Sequence, residues 1–179
     1  RRDDRPGRRA AGMALRGRIL MKALVVYDSQ YGNTERIAQA IGAVLAARVE
    51  TRVARAADAT ADSLADCGLL VVGSPTQSFH ATKPVDALLK GRSLRGVRAA
   101  AFDTRFDMAA VDSRMLRLAA RVAGDNAYAA PRIAAQLAEA GAEVVAEPEG
   151  FIVTDTEGPL RAGELERAAA WGMSLLATI

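Results

Sequence analysis

Residues 21–179 read as an α/β domain: a doubly wound parallel sheet of five strands with helices on both faces. Short apolar runs alternate along the chain with stretches of helical periodicity. Most of those runs are apolar at successive positions, the pattern of strands covered on both faces. No internal repeat or low-complexity linker breaks the alternation.

The first strand is KALVVY (22–27). A helix follows over 34–47, with Ile37, Ile41, Val44 and Leu45 on one face. ETRVAR (50–55) alternates polar and apolar residues, which suits an edge strand. A short helix near 60–66 precedes the third strand, GLLVVG (68–73), and another near 83–90 precedes the fourth, VRAAAFD (97–103). Residues 109–140 form a fourth helical region. The fifth strand combines EVVA (143–146) and FIVT (151–154), interrupted by an EPEG turn (147–150), and a last helix covers 163–177. In such sheets ligands sit beyond the carboxyl ends of the strands, which selects loops 28–34, 74–83 and 103–110.

A chain of 179 residues, half of them apolar, can bury one core. Its formal charge of +3 is uneven: residues 1–20 hold seven Arg against two Asp, and the other 17 basic and 19 acidic residues leave −2. The basic character belongs to a tail, read as a disordered N-terminal extension, so the domain is not expected to bind nucleic acid. Arg16 and Arg18 interrupt the tail's only candidate secretory core, and no apolar run is long enough to span a bilayer. The expectation is a soluble cytoplasmic domain without a membrane partner. Cys67 is the only cysteine, which excludes an internal disulfide and any multi-cysteine metal site.

The stretch YDSQYGNTERIAQAI (27–41) carries the most chemistry. It leaves a strand and opens a helix, so the N–H groups of Ser29, Gln30, Tyr31, Gly32, Asn33 and Thr34 lack helical carbonyl partners and can bind an anion. Ser29 and Thr34 add hydroxyls, Asn33 an amide, and Gly32 lets the chain close around a tetrahedral group. A helix end supplies roughly half a positive charge, enough for a phosphate monoester without a cation. No Gly-Lys-Ser/Thr tripeptide and no three-glycine fingerprint occurs here, which disfavours ATP and NAD. An ordinary capped turn is the alternative.

With Val25, Val26, Tyr27, Ser29, Gly32, Thr34, Ala38 and Ile41 in their places, this segment resembles the flavodoxin signature. The order of strands and helices extends the resemblance over 21–179, without the insertion in the last strand of long-chain flavodoxins. It implies a flavodoxin-like fold, strand order 2-1-3-4-5, that holds FMN with its phosphate in loop 29–34. The isoalloxazine ring would then lie between the loops after strands three and four. GSPT (73–76) is similar to the family's segment there. Pro75 and Thr76 would approach the ribityl chain and dimethylbenzene side, with Gln77 and Ser78 next. Phe79, or else His80, would cover one ring face, the alternatives being a core anchor for Phe79 and an exposed loop position for His80. Asp103, Thr104, Arg105 and Phe106 would meet the pyrimidine edge.

Two departures from the family pattern stand out. Arg105 introduces a cation that either lies near flavin N1 and O2, favouring the reduced anion, or pairs with Asp103 or Asp107. Residues 74–83 contain no glycine, so a peptide that turns over on flavin reduction would need positive φ at another residue. The domain's charge of −2 also gives little electrostatic steering. The resemblance implies an FMN-binding redox protein that exchanges electrons with a partner protein or small-molecule acceptor. An NAD(P)H:quinone-type reductase of the same fold and a flavin-free scaffold remain alternatives. No catalytic side chain is assigned. Trp171 is expected in the core, Cys67 as a buried small hydrophobe, and Asp58, Asp62 and Asp66 on a solvated face.

Overall fold

The computed structural model describes residues 21–107 and 111–179. The basic extension read in 1–20 lies outside them, as do positions 108–110, where the loop after the fourth strand meets the helical region. Four parallel strands, β1 (Lys22–Tyr27), β2 (Glu50–Arg55), β3 (Leu69–Pro75) and β4 (Arg98–Phe106), stand in the order β2-β1-β3-β4. The fifth position is shared by β5 (Glu143–Val144), beside the start of β4, and β6 (Glu149–Val153), beside its end. The order is therefore 2-1-3-4-5, with the last strand divided. Pro148 stands in the gap and has no N–H for the ladder, so pairing resumes only at Glu149.

Registration across the sheet sets its two faces. Val25 stands beside Val71 and Val71 beside Ala100; Val26 stands beside Val72 and Val72 beside Ala101. The first row packs under α1 (Asn33–Ala46) and α6 (Glu164–Leu176), through Ile37, Ile41, Leu45 and Leu175. The second packs under α2 (Ala61–Ala65), α3 (Lys83–Leu89) and α5 (Ala129–Glu139), through Leu64, Val85, Leu88, Ile133 and Leu137. Full burial of each such side chain contributes about 1.5–3 kcal/mol. Trp171 belongs to the first layer, edge-on to Phe102 and Phe151 at centroid distances of 6.2 and 6.4 Å. Cys67 is buried in the second.

The described part of the helical region, from residue 111, resolves into α4 (Arg114–Ala123), a 3₁₀ turn (Gly124–Ala127) and α5. Gly124, at φ 56°, ends α4 in a left-handed conformation that glycine adopts freely. In α4 Ala120 is buried, while Met115, Leu118 and Val122 are 84%, 61% and 80% exposed.

Candidate functional site

At the carboxyl ends of β1, β3 and β4 a cleft of about 130 Å³ is lined by Ser29, Gln30, Tyr31, Asn33, Thr34, Pro75, Thr76, Gln77, Thr104, Arg105, Phe106, Val153 and Thr156. The first eleven positions all come from the loops flagged by sequence, because β1 and β3 are neighbours whose crossovers run to opposite faces. A larger apolar groove near Met21, Met173 and Ile179 lies at the other end of the sheet, without convergent polar groups.

Loop 28–32 is held open by a few bonds. Asp28 N–H still donates to Gly73 O at 3.1 Å, and Gly32 N–H donates to Ser29 Oγ at 3.1 Å. Gly32 adopts φ 84°, which starts α1 without a side-chain cap. Among the described residues, no acceptor meets the N–H groups of Gln30, Tyr31, Asn33, Thr34 or Glu35. These donors, together with the dipole of a 14-residue helix, form a cradle of the kind that can hold an anion. Thr34 is buried, its hydroxyl 2.8 Å from that of Thr104. One of the two donates to the other, which leaves the second proton available to a ligand.

A cation stands beside this loop after all, supplied by β2. Arg55, in register with Tyr27, donates to Ser29 O at 3.1 Å and to Glu35 Oε2 at 2.6 Å, with its guanidinium 5.4 Å from the Tyr27 ring centroid. Glu35 offsets its charge. Burial and then the Glu35 carboxylate push the Tyr27 hydroxyl above its ordinary pKa. Reading loops singly misses Arg55, whereas the strand order places β2 beside the first loop.

The second wall is built around Asp103, which is fully buried behind the cleft. Its carboxylate takes Arg105 Nε at 2.5 Å and Nη2 at 2.8 Å, Thr76 Oγ1 at 3.1 Å and the N–H of Ala130, at the start of α5, at 2.8 Å. Burial pushes this carboxyl above the ordinary range, against the guanidinium and the two other hydrogen-bonding partners, Ala130 and Thr76, which favour its ionised form. Arg105 also lies 3.8 Å from the Tyr128 ring centroid. Of the two readings of Arg105, pairing with Asp103 is the one the geometry realises, although the side chain still lines the cleft. Asp107 instead faces Arg161 at 3.6 Å.

Pro75, Thr76 and Gln77 reach the cleft; Ser78 and Phe79 do not line it. Gln77 and His80 exchange two backbone hydrogen bonds of 2.9 Å around a two-residue turn, with Ser78 at φ 48° and Phe79 at φ 68°. Positive φ at both central positions is a type I′ geometry, normally built from Asn and Gly. This loop thus adopts positive φ without glycine, at an energetic cost. The exposed His80 keeps Nδ1 2.7 Å from Ser78 O. Gly32 and Asp103 likewise shape the site without lining it.

A model of the flavodoxin family matches residues 25–171. The chain belongs to the flavodoxin family. Members of this family bind FMN and transfer electrons. No curated protein matches the sequence. Among solved structures, a flavodoxin from the domain Archaea is 25% identical, with 88% of this chain and 98% of that one covered and a TM-score of 0.63. Oxidised Flavodoxin 2 from Bacillus cereus is 21% identical over 88% of this chain and 99% of its own, with a TM-score of 0.69. The flavodiiron protein from Giardia intestinalis is 27% identical at a TM-score of 0.62, and the match covers 86% of this chain but 35% of that protein. No described helix is long and apolar enough to cross a membrane.

Proposed function

We propose that this flavodoxin-family chain holds FMN non-covalently and passes electrons between partner proteins or small-molecule acceptors. The observation that carries the reading is the group of unpaired loop N–H donors at one end of the cleft, beside the Ser29 and Thr34 hydroxyls. That donor set fits a phosphate monoester, which offers several strong acceptors and needs no buried cation. Bound FMN would supply one- and two-electron chemistry.

The chain's own part is binding and orientation. Ser29 Oγ accepts from Gly32 N–H, so its proton can point into the cradle. Pro75, Thr76 and Gln77 on one side and Thr104, Arg105 and Phe106 on the other would flank the planar ring. Because Arg105 is neutralised by Asp103, that wall presents a donor without a full positive charge.

Titration of the apo-chain with FMN, followed by flavin fluorescence, tests the reading. Thr34→Ala should weaken binding by about tenfold to a hundredfold, the worth of one charge-assisted hydrogen bond of about 1.5–3 kcal/mol. A folded chain that takes up no FMN refutes it. Fast NAD(P)H oxidation by the loaded chain alone would replace the carrier role with the reductase one.

A further inference from the structure

α4 differs from the longer helices in what it leaves in solvent. Among its described side chains Ala120 alone is buried, whereas α1, α5 and α6 each bury four residues or more. The helix is fixed at its ends instead. Arg117 N–H donates to Ser113 O at 3.0 Å and its Nη1 to Val111 O, and past the 3₁₀ turn the N–H groups of Ala129 and Ala130 are held by Thr76 Oγ1 and the Asp103 carboxylate.

The exposed residues of α4 fall in two stripes. With about 100° between successive residues, Met115, Leu118 and Val122 lie within an arc of about 60°, and Arg114, Arg117 and Arg121 within a neighbouring arc of about 60°. Ala120 stands opposite the apolar stripe, which is therefore turned away from the domain. Arg114 and Arg121 are exposed and have no ion-pair partner among the described residues. Between Asp112 and Asp125 the sequence has three arginines and no acidic residue.

An exposed apolar stripe marks a contact, and the charge beside it selects the occupant. A second copy packed through α4 would set arginine beside arginine, and segment 1–20, with its net +5, carries the same sign. Nucleic acid would engage the arginines and leave the apolar stripe in water. An anionic lipid interface satisfies both stripes, because acyl chains accept the apolar side chains and phosphates accept the guanidinium groups. A projecting helix also needs no matching groove there.

We propose that α4 seats the domain on an anionic lipid surface, with Met115, Leu118 and Val122 entering the interface and Arg114 and Arg121 meeting lipid phosphates. The expectation of no membrane partner rests on the lack of a spanning segment, and a helix lying in the interface needs none. Seating of this kind is independent of FMN.

Co-sedimentation of the full chain with vesicles tests it, using phosphatidylcholine alone and phosphatidylcholine with about 30% phosphatidylglycerol, at about 0.1 M salt. The wild-type chain should partition at least about tenfold more strongly onto the anionic vesicles. The Met115→Ser, Leu118→Ser, Val122→Ser triple variant, confirmed as folded by circular dichroism and still carrying segment 1–20, should lose at least about tenfold of that binding. Arg114→Gln with Arg121→Gln should lose a similar factor and leave the remainder less sensitive to salt. An environment-sensitive fluorophore on Leu118→Cys should shift to the blue with anionic vesicles only. Absence of partition onto anionic vesicles overturns the proposal and leaves the face to an acidic protein surface. A triple variant that binds like wild type overturns it too, since segment 1–20 or another charged region would then suffice. Self-association in sedimentation velocity that the triple variant abolishes, with no vesicle binding, assigns the face to a second copy instead.

Discussion

Asp103 offers the sharpest stability test, because the fold has placed a fully buried carboxylate where two loops and a helix start meet. Asp103→Ala strips the Arg105 guanidinium, whose side chain is only 17% exposed, of a bidentate partner. It also takes acceptors from Thr76 Oγ1 and Ala130 N–H. Breaking a buried pair by removing one partner costs about 3–5 kcal/mol. Thr76 can turn its hydroxyl elsewhere, so we set the loss at about 4 kcal/mol, a large share of the ~5–15 kcal/mol that holds a domain together. Urea unfolding followed by circular dichroism at neutral pH reads it directly, with an unchanged slope as the sign that only stability moved. Asp103→Asn keeps the shape and one carbonyl acceptor and should lose about half as much. The double variant Asp103→Leu, Arg105→Met removes both charges together and should recover to within about 1 kcal/mol of wild type. A loss below about 1 kcal/mol for Asp103→Ala, at unchanged slope, refutes the assignment of this cluster as the site's scaffold.

Gly73→Ala should be destabilising by about 1–3 kcal/mol or more in thermal melts, because the new Cβ would stand 2.0 Å from Phe102 Cζ, in a ring with no exposed surface. Burial pushes the Cys67 thiol up to about 11 from 9.0. Its folded pKa is raised, so its contribution is complete below pH 9 and is lost between about pH 9 and 11, by roughly 2–3 kcal/mol. Cys67→Ala should flatten that alkaline limb relative to wild type, and the wild-type thiol should react slowly with a disulfide reagent at neutral pH. Substitution of Met115, Leu118 and Val122 together by Ser should leave the unfolding free energy from urea titration within about 0.5 kcal/mol per site, since none of them is buried.

The sheet was legible because its central strands are apolar on both faces, and their register buries residues 23–27 and 69–73 as an uninterrupted block. The split of the last strand could be read from EPEG, although Pro148 moves the restart to Glu149, earlier than the apolar run suggests. The unpaired donors of the first loop were legible for a similar reason: orphan N–H groups are a local property of a strand-to-helix turn. The distant partners were not. Arg55 reaches the first loop only because β2 flanks β1, Tyr128 is 23 residues beyond the Arg105 it stacks on, and Thr156 arrives through a backbone reversal. Ser78 and Phe79 conceal their turn, since neither residue type announces positive φ.

The clasp of Arg55 on Ser29 O and Glu35 has a consequence for ionic strength. Among the described residues, the guanidinium that bonds to the cradle is already balanced by a carboxylate, so a phosphate ligand there would meet peptide dipoles and hydroxyls, not a net positive side chain. Dipolar attraction at contact distance acts well inside the Debye length, which is about 10 Å at 0.1 M salt. Binding of a phosphate-bearing flavin should therefore weaken only slightly as salt rises. By that measure the cradle distinguishes itself from the lysine-lined phosphate sites of nucleotide-binding loops: it selects by the direction of its donors, and counter-ions have little to compete for.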